Sequence, residues 1–211
     1  PYRTYSLSYD MNLDHYLTIP KSRIGLGLLL NTDKAGDGDF GTTQIKFSPA
    51  FKRIITKDSS LIISIGFNIA LNQNSINYSA FYFGNQWDGN QYNASIPHNE
   101  IFAKDQLSYF DFSFGTHITY ILENGMPIHL GLALNHLNKP KQSFFSDDIT
   151  ELNSKFTTYL STNWIINDKS EFHPSVAYFD QGKYFELNIG GIFKQQLNDY
   201  NFRNIYYGGW V

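Results

Sequence analysis

Residues 61–71 read Leu-Ile-Ile-Ser-Ile-Gly-Phe-Asn-Ile-Ala-Leu. Leu61, Ile63, Ile65, Phe67, Ile69 and Leu71 share one parity, and Ile62, Ser64, Gly66, Asn68 and Ala70 share the other. One face is uniformly large and apolar; the other is mostly small or polar. A period of two sustained this far predicts one long β-strand. The stretch from Phe110 repeats it. Phe110, Phe112, Phe114, Ile118, Tyr120 and Leu122 alternate with Asp111, Ser113, Gly115, His117 and Thr119.

Working outward, the same template recurs along the chain. Tyr5, Leu7, Tyr9, Met11 and Leu13 form one apolar face, and Ile24, Leu26, Leu28 and Leu30 another. Ile45, Phe47 and Phe51 mark the next segment, and Ile128, Leu130, Leu132 and Leu134 the one after residue 123. Phe156, Leu160, Trp164 and Ile166 are read as one strand. Phe172, Val176 and Tyr178, then Phe185, Leu187, Ile189 and Phe193, then a run from Phe202, complete the set. About ten strands are predicted, and no window has a helical period. The runs are about twice the roughly 5–6 residues of soluble strands. They match the roughly 9–11 residues of a strand that crosses a bilayer.

The connections sort by length. Tight polar turns are expected at Lys57-Asp58, Glu123-Asn124-Gly125, Asn167-Asp168-Lys169 and Asn198-Asp199. Longer loops are expected at 32–41, 75–106 and 138–154, with only Asp180-Gln181-Gly182 short where a long loop is due. Long and short connections therefore mostly alternate. One short-turn rim and one long-loop rim is the pattern of an up-and-down barrel, whereas a Greek-key sandwich has no reason to sort loops this way. Tyr2, Tyr5, Tyr206, Tyr207 and Trp210 lie near strand ends, where interfacial aromatic girdles belong; ordinary strand-end aromatics are the plainer reading.

Composition agrees with a wall that has two unlike faces. The 211 residues carry 16 Lys and Arg against 19 Asp and Glu, a formal charge of −3, with 17% aromatic and 17% charged residues. Average soluble domains carry about 25% charged residues. The mean hydropathy of −0.34 excludes a helical membrane protein but not a barrel, whose every second residue faces inward. A near-neutral balance argues against nucleic acid as partner. With no cysteine there is no disulfide framework and no thiolate metal site. The chain opens at Pro1 without a signal segment, so a mature, processed or partial chain is expected.

Catalytic chemistry finds little support. The six histidines show no ligand spacing, and His117, on the inward parity, would meet Asp111 only by accident of register. Asp33-Lys34-Ala35-Gly36-Asp37-Gly38-Asp39 offers hard oxygens to Ca²⁺, but it lacks the closing Glu of an EF-hand and reads better as a Gly/Asp turn. No G-x-S-x-G elbow is present, and Ser143 follows Asn135-His136 only beyond a proline. Asn77-Tyr78-Ser79 and Asn93-Ala94-Ser95 match the N-glycosylation acceptor by chance composition. The chain is read as a non-enzyme without cofactor or metal.

Five blocks in order carry a family resemblance. Gly25-Leu26-Gly27 with Asn31-Thr32-Asp33-Lys34-Ala35-Gly36 is the first, and Phe83-Gly84-Asn85-Gln86-Trp87-Asp88-Gly89 the second. Tyr109-Phe110-Asp111-Phe112-Ser113-Phe114-Gly115 is the third. Asn135-His136-Leu137-Asn138-Lys139-Pro140-Lys141-Gln142-Ser143-Phe144 is the fourth. Pro174-Ser175-Val176-Ala177-Tyr178 with Gln181 and Glu186-Leu187-Asn188-Ile189-Gly190 is the fifth. Together they resemble the PorP/SprF-like outer-membrane proteins of type IX secretion. The family residues are then Asn31, Asp33, Gly36, Gln86, Asp88, Asp111, Gly115, His136, Pro140, Gln142, Ser143 and Phe144. The family's "N-P-A-x-x-G" region and its last strands have no counterpart here, so the resemblance implies a barrel of about 14 strands of which this chain supplies about ten.

The expectation is therefore a single all-β domain over 1–211, a transmembrane antiparallel up-and-down β-barrel in the outer membrane at the bacterial cell surface. The resemblance implies a part in type IX secretion or gliding, anchoring or docking a secreted surface protein, an adhesin among them, or the periplasmic secretion ring. Loops 75–106 and 138–154 are the expected outward loops. Tyr78, Phe81, Tyr82, Phe83, Trp87, Tyr92, Phe144 and Phe145 are the candidate partner contacts, since aromatics suit protein interfaces; a loop folded back as a plug is the alternative. A small-solute channel or transporter is the competing function.

Overall fold

The computed structural model describes residues 2–14, 19–100, 103–144, 150–197 and 203–211. Among them are eleven strands: β1 (Arg3–Asn12), β2 (Ser22–Ala35), β3 (Phe40–Ile54), β4 (Leu61–Ser75), β5 (Gln106–Ile121), β6 (Pro127–Asn135), β7 (Lys155–Thr162), β8 (Trp164–Asn167), β9 (Ser170–Gln181), β10 (Tyr184–Gln196) and β11 (Asn204–Trp210). The described residues hold no α-helix, only 3₁₀ turns at Tyr78–Ala80 and Gly84–Gln86. No helix is long and apolar enough to cross a membrane. All strands join one antiparallel sheet in chain order, with β8 an extra piece against β9. This meander is the order of an up-and-down β-barrel. Among the described residues β1 and β11 are unpaired on their outer sides, so the sheet is open.

Register turns the sequence alternation into two faces. Tyr9, Leu28, Phe47, Ile69 and Phe112 lie opposite one another across β1–β5, and all are exposed. Leu7, Leu30, Ile45, Leu71 and Phe110 form the next exposed row. Such an apolar outer face is the wall a bilayer requires. The opposite face carries small and polar groups. Across its middle run Gly25, Ala50, Gly66, Gly115, Ala133 and Thr157, each directly opposite the next. This waist of small side chains leaves room along the inner wall. Ala70, 2% exposed, lies on it, and among the described residues no large side chain is fully buried.

Three expectations are corrected. The supposed loop 32–41 is mostly strand: β2 runs to Ala35 and β3 starts at Phe40, leaving a turn at 36–39 with Gly36 at φ +73° and Asp39 at φ +45°. Asn31, Thr32 and Asp33 are polar on both parities because the sheet there stands above the apolar band. The strand read through Phe156 and Ile166 breaks at Asn163 into β7 and β8, whose Ile165–Asn167 stretch is also irregular in register. Trp210 is not an interfacial girdle residue; it sits opposite Gly190 on the inner face, its indole N–H donating to Ser175 Oγ at 3.2 Å.

Candidate functional site: the long-loop rim

The connections at one end of the sheet are 36–39, 76–105, 136–154 and 182–183. At the other end they are 13–21, 55–60, 122–126, 168–169 and 197–203. The two longest share a rim, and most of the motif residues converge on it.

Segment 76–105 is built around Gln86, 5% exposed. Its Nε2 donates to Ile96 O at 3.0 Å. Its Oε1 accepts from Phe83 N–H at 3.3 Å and from the Tyr92 hydroxyl at 3.2 Å. Backbone Gln86 N–H reaches Phe83 O, and its carbonyl accepts from Asn93 N–H at 2.9 Å. One amide side chain thus satisfies three parts of the loop, and no water need do so. Asp88 closes the adjacent turn by accepting from Asn90 N–H at 2.8 Å and Gln91 N–H at 2.9 Å. The N–H of Gln91, then that of Asn90, holds its carboxyl below the usual carboxylate range. The two acceptor-like Asn are local turns: Asn77 Oδ1 takes Ser79 N–H, and Asn93 Oδ1 takes Ser95 N–H.

The aromatics divide into two sets on this frame. Tyr82 and Tyr92 meet edge-on at 4.5 Å, and Phe83 lies 4.7 Å from His98. Tyr78 and Phe81 are 6.3 Å apart, and the Phe81 ring covers Gly38, where a Cβ would collide with it. Asn77 N–H also donates to Gly38 O at 2.7 Å, so the start of segment 76–105 is fastened to the 36–39 turn. Tyr82, though it meets Tyr92, stays 78% exposed, and Trp87 is 58% exposed.

Segment 136–154 is stitched onto β5, which extends beyond the last residue of β6. Asp111, 8% exposed, accepts through Oδ2 from His136 Nδ1 at 2.9 Å. Leu137 N–H donates to Phe112 O at 2.9 Å. The Asn138 side chain donates to Phe110 O at 2.7 Å and accepts from Phe112 N–H at 3.1 Å, as a neighbouring strand would. Gln142 Nε2 donates to the Tyr109 hydroxyl at 2.6 Å. Pro140 is buried, its carbonyl accepting Leu152 N–H at 3.0 Å, and Phe144 meets Phe40 at 6.5 Å. Ser143 is half-buried beside it, and Phe145 lies outside the described residues. His136 holds φ +56°, a backbone cost that its ring and chain contacts offset. Ser154 Oγ donates to the His136 carbonyl at 3.1 Å and not to its ring. The Asp111–His136 pair is therefore a latch for the loop. Asp111 Oδ1 finds no hydrogen-bond partner among the described residues.

Below the loops the inner wall continues in polar rows. Asn31 stands opposite Gln44, which donates to Asn72 Oδ1 at 2.7 Å. Asp33 stands opposite Thr42, which donates to Asn74 Oδ1 at 3.2 Å, and Asp33 accepts from Thr4. Gly115 lies lower, in the waist, with Ala133 Cβ 3.5 Å from where its own Cβ would be. His117 stacks with His129 at 5.6 Å and with Tyr159 at 5.9 Å. Among the described residues no three His, Asp or Glu are grouped as a metal site.

The sequence reading brought Asp111 and His136 into neighbouring blocks without pairing them. Tyr109 as a contact and Asn138 as a strand mimic have no signal in the sequence, since neither role follows a hydrophobic period. The family model described as type IX secretion system membrane protein PorP/SprF matches residues 1–211. No curated protein and no solved structure matches the chain.

Proposed function

This chain belongs to the type IX secretion system membrane protein PorP/SprF family, and from that premise we propose that it is an outer-membrane β-barrel that docks protein partners through its long-loop rim. The observation that carries this reading is the construction of segment 76–105. Gln86 fixes the loop from within, while Tyr82 and Trp87 remain exposed on the fixed frame. Rigid exposed aromatics bind protein surfaces at low entropic cost. The loop is anchored to the 36–39 turn and to its own residues, which favours an outward platform over a luminal plug. The partners are a secreted surface protein on this rim and components of the periplasmic secretion ring at the other. The open edges of β1 and β11 are paired in the membrane by further strands, making a barrel of about 14, because unpaired backbone in lipid costs several kcal/mol per group.

The test is recovery of the protein and its partners from membranes in mild detergent, with wild type and with 79–98 replaced by a short Gly/Ser linker. Loss of a co-purifying surface protein, with the barrel still folded, is expected. Unchanged recovery and unchanged surface retention of that protein would overturn the assignment of this rim. One observation favours the channel reading: Gly25, Ala50, Gly66, Gly115, Ala133 and Thr157 give the inner wall a continuous band of small side chains. Large, steady single-channel conductance would support it and count against a plain tether.

A further inference from the structure

The short-turn rim gathers a cluster of cations at one corner. Lys21, Arg23, Lys52, Arg53 and Lys57 crowd the ends of β2 and β3, five of the 16 Lys and Arg in the chain. Residues 58–103, by contrast, contain neither Lys nor Arg. Within the cluster, Arg23 and Lys52 stand directly opposite each other. Lys52 is in turn opposite Ser64, which is opposite His117, so both cations share the inner face. Like charges directly opposite across a sheet repel. Asp14 meets Arg23 at 3.6 Å, while Lys52 has no acid partner among the described residues. These residues border a hollow of about 480 Å³ lined by Asp14, Lys21, Arg23, Lys52, Ile54 and Ile62 among others.

The hollow is a built feature. Leu13 N–H donates to Ile24 O, and Ile24 N–H to Asp14 Oδ1 at 3.3 Å. Ile54 N–H donates to Lys21 O at 2.9 Å, holding the first turn against β3. The backbone positions that carry Lys21, Arg23 and Lys52 are therefore fixed before anything binds. The wall is mixed, with cationic heads beside the half-buried side chains of Ile54 and Ile62. A lone small anion leaves those isoleucines uncovered. Lipid headgroups meet the outer face, whereas Arg23 and Lys52 are on the inner one.

We propose that this hollow receives an acidic, aliphatic peptide segment of a protein partner at the short-turn mouth of the barrel. Carboxylates of the segment sit between Arg23 and Lys52, relieving their repulsion, and an aliphatic side chain covers Ile54 and Ile62. The proposal rests on the reading that the protein works through protein contacts, and it adds a second, electrostatically selected site at the opposite end from the aromatic loop.

The test uses the full chain in nanodiscs of zwitterionic lipid and fluorescein-labelled peptides in which Leu alternates with Glu, Gln or Lys. Anisotropy is expected to show binding of the Glu peptide, weakened about tenfold or more by raising salt, by Glu-to-Gln replacement in the peptide, and by the double variant Arg23→Gln/Lys52→Gln. Lys155→Gln, at the far end of β7, leaves it unchanged. Equal binding of the Gln peptide, equal binding to the double variant, or full displacement by millimolar inorganic phosphate would overturn the proposal. An unaltered far-ultraviolet spectrum and heat-modifiable mobility confirm that the double variant is folded. Should the peptide fail while the detergent pull-down still recovers a partner through loop 76–105, the proposed function stands and this site does not.

Discussion

Replacing Ile65 by Lys tests the membrane-facing wall through a cost that depends on which way the side chain faces and how deep it lies. Ile65 lies on the outer parity of β4, opposite Phe51 and Thr116, and is partly exposed. The outer residues of β4 run from Leu71 to Leu61, ten residue steps. At about 3.4 Å per residue and a tilt of about 40°, the band is about 26 Å tall, close to the roughly 25 Å apolar band of outer-membrane barrels. Ile65 falls near its middle. There a Lys costs about 2–4 kcal/mol, falling to about 0–1 kcal/mol near an interface. So Ile65→Lys should destabilise by about 2–4 kcal/mol and Leu61→Lys by about 1 kcal/mol or less. Asn68→Lys, three residues away but facing inward opposite Ser113, should cost well under 1 kcal/mol, since a lumen position stays solvated. Reversible guanidinium unfolding from lipid vesicles reads these differences directly. On a water-exposed sheet the same three changes would each lie within about 0.5 kcal/mol. A flat series, or equal costs for Asn68→Lys and Ile65→Lys, refutes the lipid-facing assignment.

Other expectations are narrower. Gln86→Leu removes a buried three-way bond and should cost the loop about 1–3 kcal/mol; limited proteolysis should then cut within 76–105 while the strands stay protected. Asp111→Ala leaves His136 in its strained conformation without a partner, and hydrogen exchange at Leu137 and Gln142 should accelerate while β5 below residue 113 is unchanged. Asp88 has a carboxyl pKa depressed by two backbone N–H groups, so its support for the 88–91 turn is present above the ordinary carboxylate range and is lost as pH falls through the lowered value. Exchange of the Asn90 and Gln91 amides should therefore rise only on acidification, and Asp88→Asn should show raised exchange at neutral pH. Gly131→Val should dislodge the Tyr159 ring, which occupies the space of any Cβ at that position, and alter the near-ultraviolet spectrum.

Which parts were legible in sequence follows from the range of the forces involved. Alternation in 61–71 and after Phe110 reports a local fact, that successive side chains face different media, and so it marked β4 and β5 well. The same logic failed at Asn31, Thr32 and Asp33, because above the apolar band both faces are polar and the period vanishes although the ladder continues. It also failed at Asn163, where one parity runs through a break in pairing. The rim was legible as motif blocks but not as contacts. Asp111 and His136 are 25 positions apart and meet only because β5 outruns β6. Gln86 was visible as a family residue, yet its role emerges only when Ile96, Phe83 and Tyr92 surround it. The basic hollow brings the 13–21 turn and the start of β2 against the end of β3, where Arg23 meets Lys52, and charge has no period to betray the meeting.

The stitching of 136–142 onto β5 divides the wall mechanically. Below Asn135 the β5–β6 seam is a continuous backbone ladder; above it the seam consists of the Asp111–His136 pair, one backbone bond at Leu137 and the amides of Asn138 and Gln142. Discrete fasteners release one at a time, whereas a ladder resists as a unit. A pull on segment 136–154 would therefore peel the upper corner of the wall and stop at Asn135, with strand register below intact. In a protein that belongs to a secretion apparatus, that makes the corner a tear-line: load on the loop is shed there before it reaches the part of the sheet that seals the membrane.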